Sequence, residues 1–301
     1  MPALKPFRYE RPASLEELGI LLADHAGTVP FYLAGGTDLF VAMRAGKYNP
    51  ELVVDLKGLP GLCGIDARKE GRLWIGALTP IHTLELNEII RTQATVLFEG
   101  AQSLGSWQVR NRGTIGGNLA NGSPTADTAV PLLALDAEIL TWGPSGTRSI
   151  PAVSFWLGAG KTILRPGEII TGVELPLKQG SSSAYIKLGP RKAMDMAIAS
   201  AAVVLKSDRG IIQEVRIALG GAGPTPIRAS SAETYLTGRP ASPENMSQAG
   251  KLAADGSKPR TSSRATREYR LSVIPVLVER SIRSTLQRQE ALSSHKGGES
   301  S

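Results

Sequence analysis

Cysteine is nearly absent from this chain of 301 residues, in which Cys63 is the single example. One thiol excludes an internal disulfide. It also excludes an iron–sulfur cluster held by this chain alone, because such a cluster needs about four cysteine thiolates. We therefore expect Cys63 to be a small buried apolar residue.

Histidines, long apolar runs and common nucleotide fingerprints are also lacking. The three histidines, His25, His82 and His295, are too far apart in the sequence to match the ligand spacing of a zinc site or the spacing of a known serine–histidine–aspartate triad. A triad whose members meet only in the folded chain stays open. No stretch approaches about 18 apolar residues and the N-terminus lacks a signal-peptide core, so we expect a cytoplasmic protein without a membrane span. There is no Gly-x-Gly-x-x-Gly fingerprint, and Gly160-Lys161-Thr162 is not a P-loop because Phe155 stands where its first glycine should be.

The chain does contain two glycine-rich segments that suit a diphosphate. The first glycine segment is 33–39 (LAGGTDL), and the second is 113–124 (GTIGGNLANGSP). Glycine pairs let backbone amides converge without a Cβ, and the nearby hydroxyl and amide side chains add neutral donors. The apolar run 31–34 predicts a buried strand, and Asp38 is predicted to cap a short helix over 39–44, so the first segment opens toward a helix N-terminus.

Positive charge is concentrated near the C-terminus. The net charge is +7, and residues 258–288 carry +6 of it. Two interpretations of this stretch stay open: a solvated helix face, or a docking surface for an acidic partner. Nucleic acid is not the expected partner, because Tyr269 is the only aromatic residue in the stretch and no DNA-binding spacing is present.

Periodicity divides the chain into three units and a tail. Residues 1–57 form the first unit. A capping box at Ser14 to Glu17 begins a helix that runs to about His25 and carries a buried stripe of leucines (Leu15, Leu18, Leu21, Leu22). A strand–helix–strand unit follows and ends in a strand at 52–55. Residues 58–178 form the second, with predicted strands at 73–76 and 167–176, helices at 84–91, 94–104 and 128–135, and a hairpin turning at 143–146.

The third unit, 183–289, follows a predicted linker at 179–183. Strands are predicted at 184–188, 201–206 and 211–219, and helices at 229–236, 245–254 and 266–289. Residues 290–301 are predicted to be a disordered tail.

Taken together, these segments resemble the FAD-binding subunit of molybdenum hydroxylases, a family that includes the medium subunit of carbon monoxide dehydrogenases and the flavin domain of xanthine dehydrogenases. The resemblance runs from Phe7 to about Ile282. The second glycine segment is its specific element, and the first supports it. The matching stretches are 34–39, 108–118, 123–127, 132–137, 185–187, 191–197 and 264–270.

The resemblance implies which residues hold FAD. The cofactor-binding set of the glycine segments is Leu33, Ala34, Gly35, Gly36, Thr37, Asp38, Leu39, Thr114, Ile115, Gly116, Gly117, Asn118 and Ser123. Backbone amides of Ala34–Asp38 and of 114–117 would wrap the diphosphate, with Asn118 and Ser123 as side-chain donors. Because no tethering histidine stands near Thr37, binding is expected to be non-covalent.

Five further residues are implied outside the glycine segments. Asp127 matches the aspartate that binds the adenosine end of FAD, with a helix cap before Thr128 as the alternative role. Leu164 matches a backbone contact to the flavin ring. Lys187 matches the lysine close to that ring, here the catalytic candidate, with an exposed lysine at a strand edge as the alternative. Arg191 and Lys192 fall in the loop that meets NAD in xanthine dehydrogenase relatives.

The fold implied is α+β: a two-part FAD-binding domain followed by a C-terminal domain of antiparallel sheet and helices. The function implied is electron transfer from the 2Fe–2S clusters of a small partner to NAD or another acceptor, with a molybdenum cofactor in a large partner and a dimer of heterotrimers as the assembly. Two alternatives stay open. One is a stand-alone oxidase of the vanillyl-alcohol-oxidase type, and the other is a non-catalytic phosphate- or nucleic-acid-binding protein.

Overall fold

The computed structural model describes residues 4–68, 71–191 and 194–297. Its first part is a parallel three-stranded sheet of order β1-β3-β2. The strand–helix–strand unit predicted around the first glycine segment is confirmed, because β2 and β3 pair in parallel with helix α2 between them. The elements are β1 (Arg8–Glu10), α1 (Leu15–Asp24), β2 (Phe31–Leu33), α2 (Leu39–Arg44) and β3 (Leu52–Asp55).

Helix α1 begins as its sequence predicts. The Ser14 hydroxyl accepts a hydrogen bond from the Glu17 amide at 3.0 Å. Leu18 is fully buried, and the other three leucines of the stripe pack against the same small core. The capping pattern and the 3.6-residue period therefore fix this helix locally.

The second part is a five-stranded antiparallel sheet of order β4-β5-β10-β6-β7, with helices between its second and third strands in the sequence. The predicted hairpin is confirmed, with β6 pairing β7 from Glu138 to Gly143. The elements are β4 (Ile65–Arg68), β5 (Arg72–Gly76), α3 (Ile81–Leu86), α4 (Glu88–Gln93), α5 (Thr95–Ser103), α6 (Trp107–Arg112), α7 (Ile115–Ala120), α8 (Ala129–Ala134), β6 (Glu138–Gly143), β7 (Gly146–Pro151), β8 (Trp156–Gly158), β9 (Lys161–Thr162) and β10 (Ile169–Pro176).

Three predictions in this part are wrong. The single helix at 84–91 is two helices, because Asn87 has extended dihedrals, ends α3 and caps α4 through a bond from the Ile90 amide. The second glycine segment is not an open loop, since its first half is helix α7. Cys63 is exposed, because its neighbour Leu62 occupies the buried position in this turn.

The C-terminal part is a four-stranded antiparallel sheet of order β11-β12-β13-β14, packed against three helices. Its first three strands and its three helices fall where the sequence predicts them, within one to three residues for most bounds, whereas the short strand β14 was not predicted. The elements are β11 (Ser182–Leu188), β12 (Ala199–Asp208), β13 (Ile211–Gly220), β14 (Ile227–Arg228), α9 (Ser230–Leu236), α10 (Pro243–Asp255) and α11 (Arg267–Gly297).

Both ends of this part differ from the prediction. Strand β11 begins at Ser182, so Ser182 and Ser183 belong to the sheet and not to a linker. Helix α11 continues to Gly297, which contradicts a disordered tail from 290 as far as that residue; residues 298–301 lie outside the described residues. The Gln289 side chain donates to the Ser207 carbonyl at 2.9 Å, and extending a helix that is already anchored costs little.

One hydrophobic core crosses the boundary between the second part and the C-terminal part. On β12, Ala202 and Val204 join the core formed by β5, α5 and α8, whereas Ala201 and Val203 face the core under α10 and α11. The C-terminal sheet is therefore covered on both faces, which explains its nearly continuous buried pattern. Across the described ranges, every helix falls short of the length and apolarity that a bilayer crossing requires.

Candidate cofactor site

The two glycine segments face each other across one groove. Its volume is about 600 Å³, and it is bounded by the end of β2, the start of α2 and the start of α7. The predicted site residues that line it are Ala34, Gly35, Gly36, Thr37, Asp38, Leu39, Thr114, Gly117 and Asn118. The tertiary structure thus brings together segments that are about 75 residues apart in the sequence.

Glycine is required where the segments touch. A Cβ on Gly35 would overlap the carbonyl oxygen of Arg112, so the two backbones meet here directly. Gly36 has φ +77°, and a Cβ there would lie 2.8 Å from the Phe40 ring. The left-handed conformation and the close approach both exclude larger residues without rearrangement.

The first segment presents its backbone amides to the groove. Within the part of the chain that the structure describes, the amides of Gly35–Leu39 donate to no acceptor. These groups lie at the N-terminus of α2, where the helix dipole adds positive potential. Unpaired amides at a helix start form a ready site for an anion.

Asp38 does not cap α2 as the sequence predicted. It occupies the N-cap position, but its dihedrals are helical and its carboxylate makes no capping bond. The carboxylate accepts instead from the Asn121 side chain at 3.4 Å, across the groove. Burial raises the pKa of Asp38 above its usual range.

The second segment uses its amides internally. The Ile115 amide donates to the Thr79 carbonyl at 3.1 Å, and the Gly116 amide donates to the Ala77 carbonyl at 2.8 Å. The Gly117 amide donates to the Thr114 hydroxyl at 3.1 Å, which caps α7. A Cβ on Gly116 would lie 2.7 Å from the Ala77 Cβ. These bonds hold α7 against the segment that follows β5 and leave few donors for a ligand.

Three groove residues were missed in the sequence analysis. The Tyr32 hydroxyl is buried and has no hydrogen-bond partner among the described residues, and burial raises the pKa of this phenol to about 12. Lys47 brings a cation to the groove, with its ammonium 5.0 Å from the Tyr48 ring centroid. The available signal was position: Tyr32 directly precedes the first glycine segment, and Lys47 and Tyr48 lie three and four residues after the end of α2.

Asp127 and Lys187 do not line this groove but pair with each other. Lys187 Nζ lies 2.7 Å from Asp127 Oδ2 and 2.8 Å from the Ser103 carbonyl oxygen. The Tyr185 hydroxyl donates to the other carboxylate oxygen at 2.8 Å. Burial raises the pKa of Asp127, although Lys187 opposes the shift. The pair joins the second part to the C-terminal sheet.

Both alternative roles for these two residues are wrong. Asp127 is not a helix cap, because α8 begins at Ala129 after Thr128 and the carboxylate is engaged elsewhere. Lys187 is not an exposed strand-edge lysine, since only 11% of its side chain is exposed.

The remaining predicted residues serve packing or turn formation. Leu33 and Ile115 are buried, and Gly116 lies against Ala77. The Ser123 hydroxyl accepts from the Thr125 amide at 3.3 Å, and Leu164 packs partly buried on the main core. Arg191 is exposed beside Asp195, and Lys192 lies outside the described residues.

The groove therefore fits a diphosphate. It offers unpaired amides from Gly35–Leu39, the unpartnered Tyr32 hydroxyl, the Thr37 side chain and the Lys47 ammonium. Neutral donors preorganised by a glycine turn, with one cation, match phosphate oxygens without excess charge.

Comparisons with known proteins support this assignment. A family model described as the FAD binding domain in molybdopterin dehydrogenase matches residues 5–178, and one described as the CO dehydrogenase flavoprotein C-terminal domain matches residues 184–285. The carbon monoxide dehydrogenase medium chain of Hydrogenophaga pseudoflava is 33% identical over 284 residues, covering 94% of this chain and 98% of that protein.

Two further comparisons agree. The xanthine dehydrogenase FAD-binding subunit of an Escherichia coli strain is 33% identical over 276 residues, covering 91% of this chain and 94% of that protein. A solved carbon monoxide dehydrogenase from Hydrogenophaga pseudoflava, which lacks the Mo-pyranopterin moiety of its molybdenum cofactor, matches with a TM-score of 0.91 at 32% identity, over 95% of this chain and 99% of the matched chain.

Proposed function

Since the chain belongs to the FAD-binding subunits of the molybdenum hydroxylases, the family of carbon monoxide and xanthine dehydrogenases, we propose that it passes electrons from a partner's iron–sulfur clusters to NAD or another acceptor. The family makes it an oxidoreductase subunit and not a stand-alone oxidase or a non-catalytic phosphate-binding protein. Bound FAD would supply a group that accepts electrons singly or in pairs, which suits a junction between one-electron clusters and a two-electron acceptor.

The free amides of the first glycine segment carry this proposal. We assign the amides of Gly35–Leu39 to the FAD diphosphate, with the Tyr32 hydroxyl as an additional donor. Thr114, Ile115, Gly116 and Gly117 hold α7 in place, and Thr114 and Gly117 also border the groove. Asn118 accepts from the Thr128 hydroxyl through Oδ1 at 2.6 Å, which leaves its NH₂ group available to a ligand.

The assembly is also a proposal. We propose a large subunit with the molybdenum cofactor, a small subunit with 2Fe–2S clusters, a dimer of heterotrimers and a cytoplasmic location. With Cys63 alone, the chain has no set of cluster ligands. The similar carbon monoxide dehydrogenase chain is named a medium chain, which supports partners of larger and smaller size.

The roles of Asp127 and Lys187 toward FAD stay predictions. Because the two side chains form an ion pair, they cannot both have the roles that the resemblance implies. Two groups 2.7 Å apart cannot contact the adenosine end and the flavin ring of an extended FAD together. If Lys187 faces the ring, its charge stabilises the reduced anionic form. Lys187→Met should then lower the reduction potential by on the order of 20–30 mV, in a reductive titration against a reference dye. An unchanged reduction potential would contradict this role of Lys187.

The backbone contact of Leu164 to the flavin ring also stays a prediction.

The overall proposal is tested on the native complex. Purification through a tag on this chain should yield one FAD per chain, with molybdenum and iron in a larger and a smaller partner. Acid precipitation should release all the flavin into the supernatant. Flavin kept in the pellet would contradict non-covalent binding, and a chain that purifies alone with FAD and without metal would contradict the electron-transfer assembly.

A further inference from the structure

Arginines crowd the start of α11 without acidic partners in contact. Arg260, Arg264 and Arg270, here called the arginine cluster, lie just before and inside the first turn of this helix. Elsewhere in the chain comparable arginines are paired: Arg228 contacts Glu233 at 2.7 Å, and Arg148 contacts Glu168 at 2.6 Å. Among the described residues, no salt bridge involves a member of the cluster.

Arg270 is the buried member. It is only 4% exposed. Its guanidinium donates to the Ile198 carbonyl and, at 2.8 Å, to the Ser262 hydroxyl, while its Nε has no acceptor in the described ranges. Both acceptors are neutral, so the positive charge is buried without a counter-charge. A buried charge without a partner is costly and calls for an explanation.

Local electrostatics make this arrangement more unfavourable. Burial lowers the pKa of Arg270, and the charges of Arg264 and Arg260 lower it further. The positive end of the α11 dipole points at the same place. Glu268 is the acidic residue in the first turn of α11, but among the described residues it forms no ion pair with the cluster. A buried charge that faces like charges without a counter-charge violates a local electrostatic rule, and such violations concentrate at functional sites.

We propose that the arginine cluster binds the phosphoryl group of a phosphorylated small molecule, at a site separate from the FAD groove. Arg260 and Arg264 are exposed at the rim and Arg270 is recessed, which suits an anion entering from solvent. Three guanidiniums and the Ser262 hydroxyl supply more donors and charge than one carboxylate uses, so a phosphate dianion is the better match. This differs from both earlier interpretations of the basic stretch, a solvated face and an acidic docking partner.

The test uses the full chain saturated with FAD, so that the diphosphate groove is filled. Inorganic phosphate, ADP and adenosine are titrated calorimetrically at constant ionic strength. Wild type should bind phosphate and ADP but not adenosine. The double variant Arg260→Gln/Arg264→Gln should bind both at least tenfold more weakly, whereas Arg283→Gln, an exposed residue of the same helix paired with Glu279, should behave as wild type.

A second measurement separates binding from a structural role. Arg260→Gln removes one of the repelling charges, so it should raise the unfolding midpoint in phosphate-free, low-salt buffer and abolish most of the stabilisation by added phosphate.

ADP binding at least tenfold tighter than phosphate identifies a nucleotide as the source, and equal binding identifies free phosphate. The proposal is overturned if wild type binds neither anion, or if the double variant binds them unchanged. Flavin absorbance of each sample reports FAD binding independently.

Discussion

The two glycine segments have similar sequences but use their backbones in opposite ways. In the first segment the amides of Gly35–Leu39 have no acceptor among the described residues, and all five residues line the groove. In the second, the amides of Ile115 and Gly116 are bonded to the chain at Thr79 and Ala77, and glycine is needed because α7 packs directly on that backbone. The first segment supplies hydrogen-bond donors to the groove, and the second holds α7, which forms one side of that groove.

This difference shows that a glycine pair does not by itself mark a ligand contact. Glycine permits close approach of any backbone, whether the approaching group is a phosphate or another part of the protein. The second segment is the more specific element of the family resemblance, yet in this structure its amides are the less available ones. We therefore expect variants of the two segments to fail in different ways.

The largest effect is expected for Gly116→Val. The branched side chain would collide with Ala77 and break the bond from the Gly116 amide, at a cost of about 3 kcal/mol in the free energy of unfolding. FAD should be lost because the wall of the groove is lost. Thermal unfolding and flavin absorbance measured together test this. A variant with a normal unfolding midpoint and no flavin would show that Gly116 contacts the cofactor directly. That result would contradict the purely structural role of the second segment.

A smaller and more selective effect is expected for Gly36→Ala. Alanine at φ +77° and against the Phe40 ring should shift the free amides, so that FAD binds roughly tenfold more weakly while the chain stays folded. Gly46→Ala is the matched control, because Gly46 has φ +70° with nothing within 4 Å of a Cβ. Equal losses of FAD affinity in both variants would mean that backbone strain alone, and not the groove, explains the effect.

Tyr32→Phe should separate stability from binding. The buried hydroxyl has no partner in the described structure, so its removal should leave the FAD-free chain as stable or about 1 kcal/mol more stable. FAD should bind about fivefold more weakly, since one donor to the cofactor is lost. Denaturant unfolding and fluorescence titration give the two quantities. Unchanged FAD affinity would remove Tyr32 from the site.

The smallest effect concerns pH and Asp38. Partial desolvation raises its pKa in the folded chain, although Asp38 keeps access to solvent, so the ionised carboxylate lowers stability slightly at neutral pH, and this effect disappears as pH falls through the raised value. Asp38→Asn should therefore raise the unfolding midpoint of the FAD-free chain near pH 7, with a difference that shrinks toward pH 4. The exposed Asp66→Asn serves as the control. A difference that is constant with pH would contradict this account.

The sequence by itself determined the strand–glycine–helix unit, the α+β class and the C-terminal sheet. These features depend on local rules: the Ser14 cap, the leucine period of α1, and the hairpin turn at 143–146 are written in neighbouring residues. The break at Asn87 was missed because one capping residue interrupted an apolar pattern that continues on both sides. The family resemblance extended this local information to the whole chain.

Only the tertiary structure decided which polar groups are free and which are paired. The amides of Ile115 and Gly116 are bonded to residues more than 30 positions earlier, and Asp127 pairs with Lys187, 60 residues later. The Tyr32 hydroxyl lacks a hydrogen-bond partner and the Arg270 guanidinium lacks a counter-charge, because no described residue brings an acceptor to the first or a carboxylate to the second. Hydrogen bonds and ion pairs between distant segments depend on how the chain closes on itself. A sequence pattern states which donors exist, and only the packed structure shows where they point.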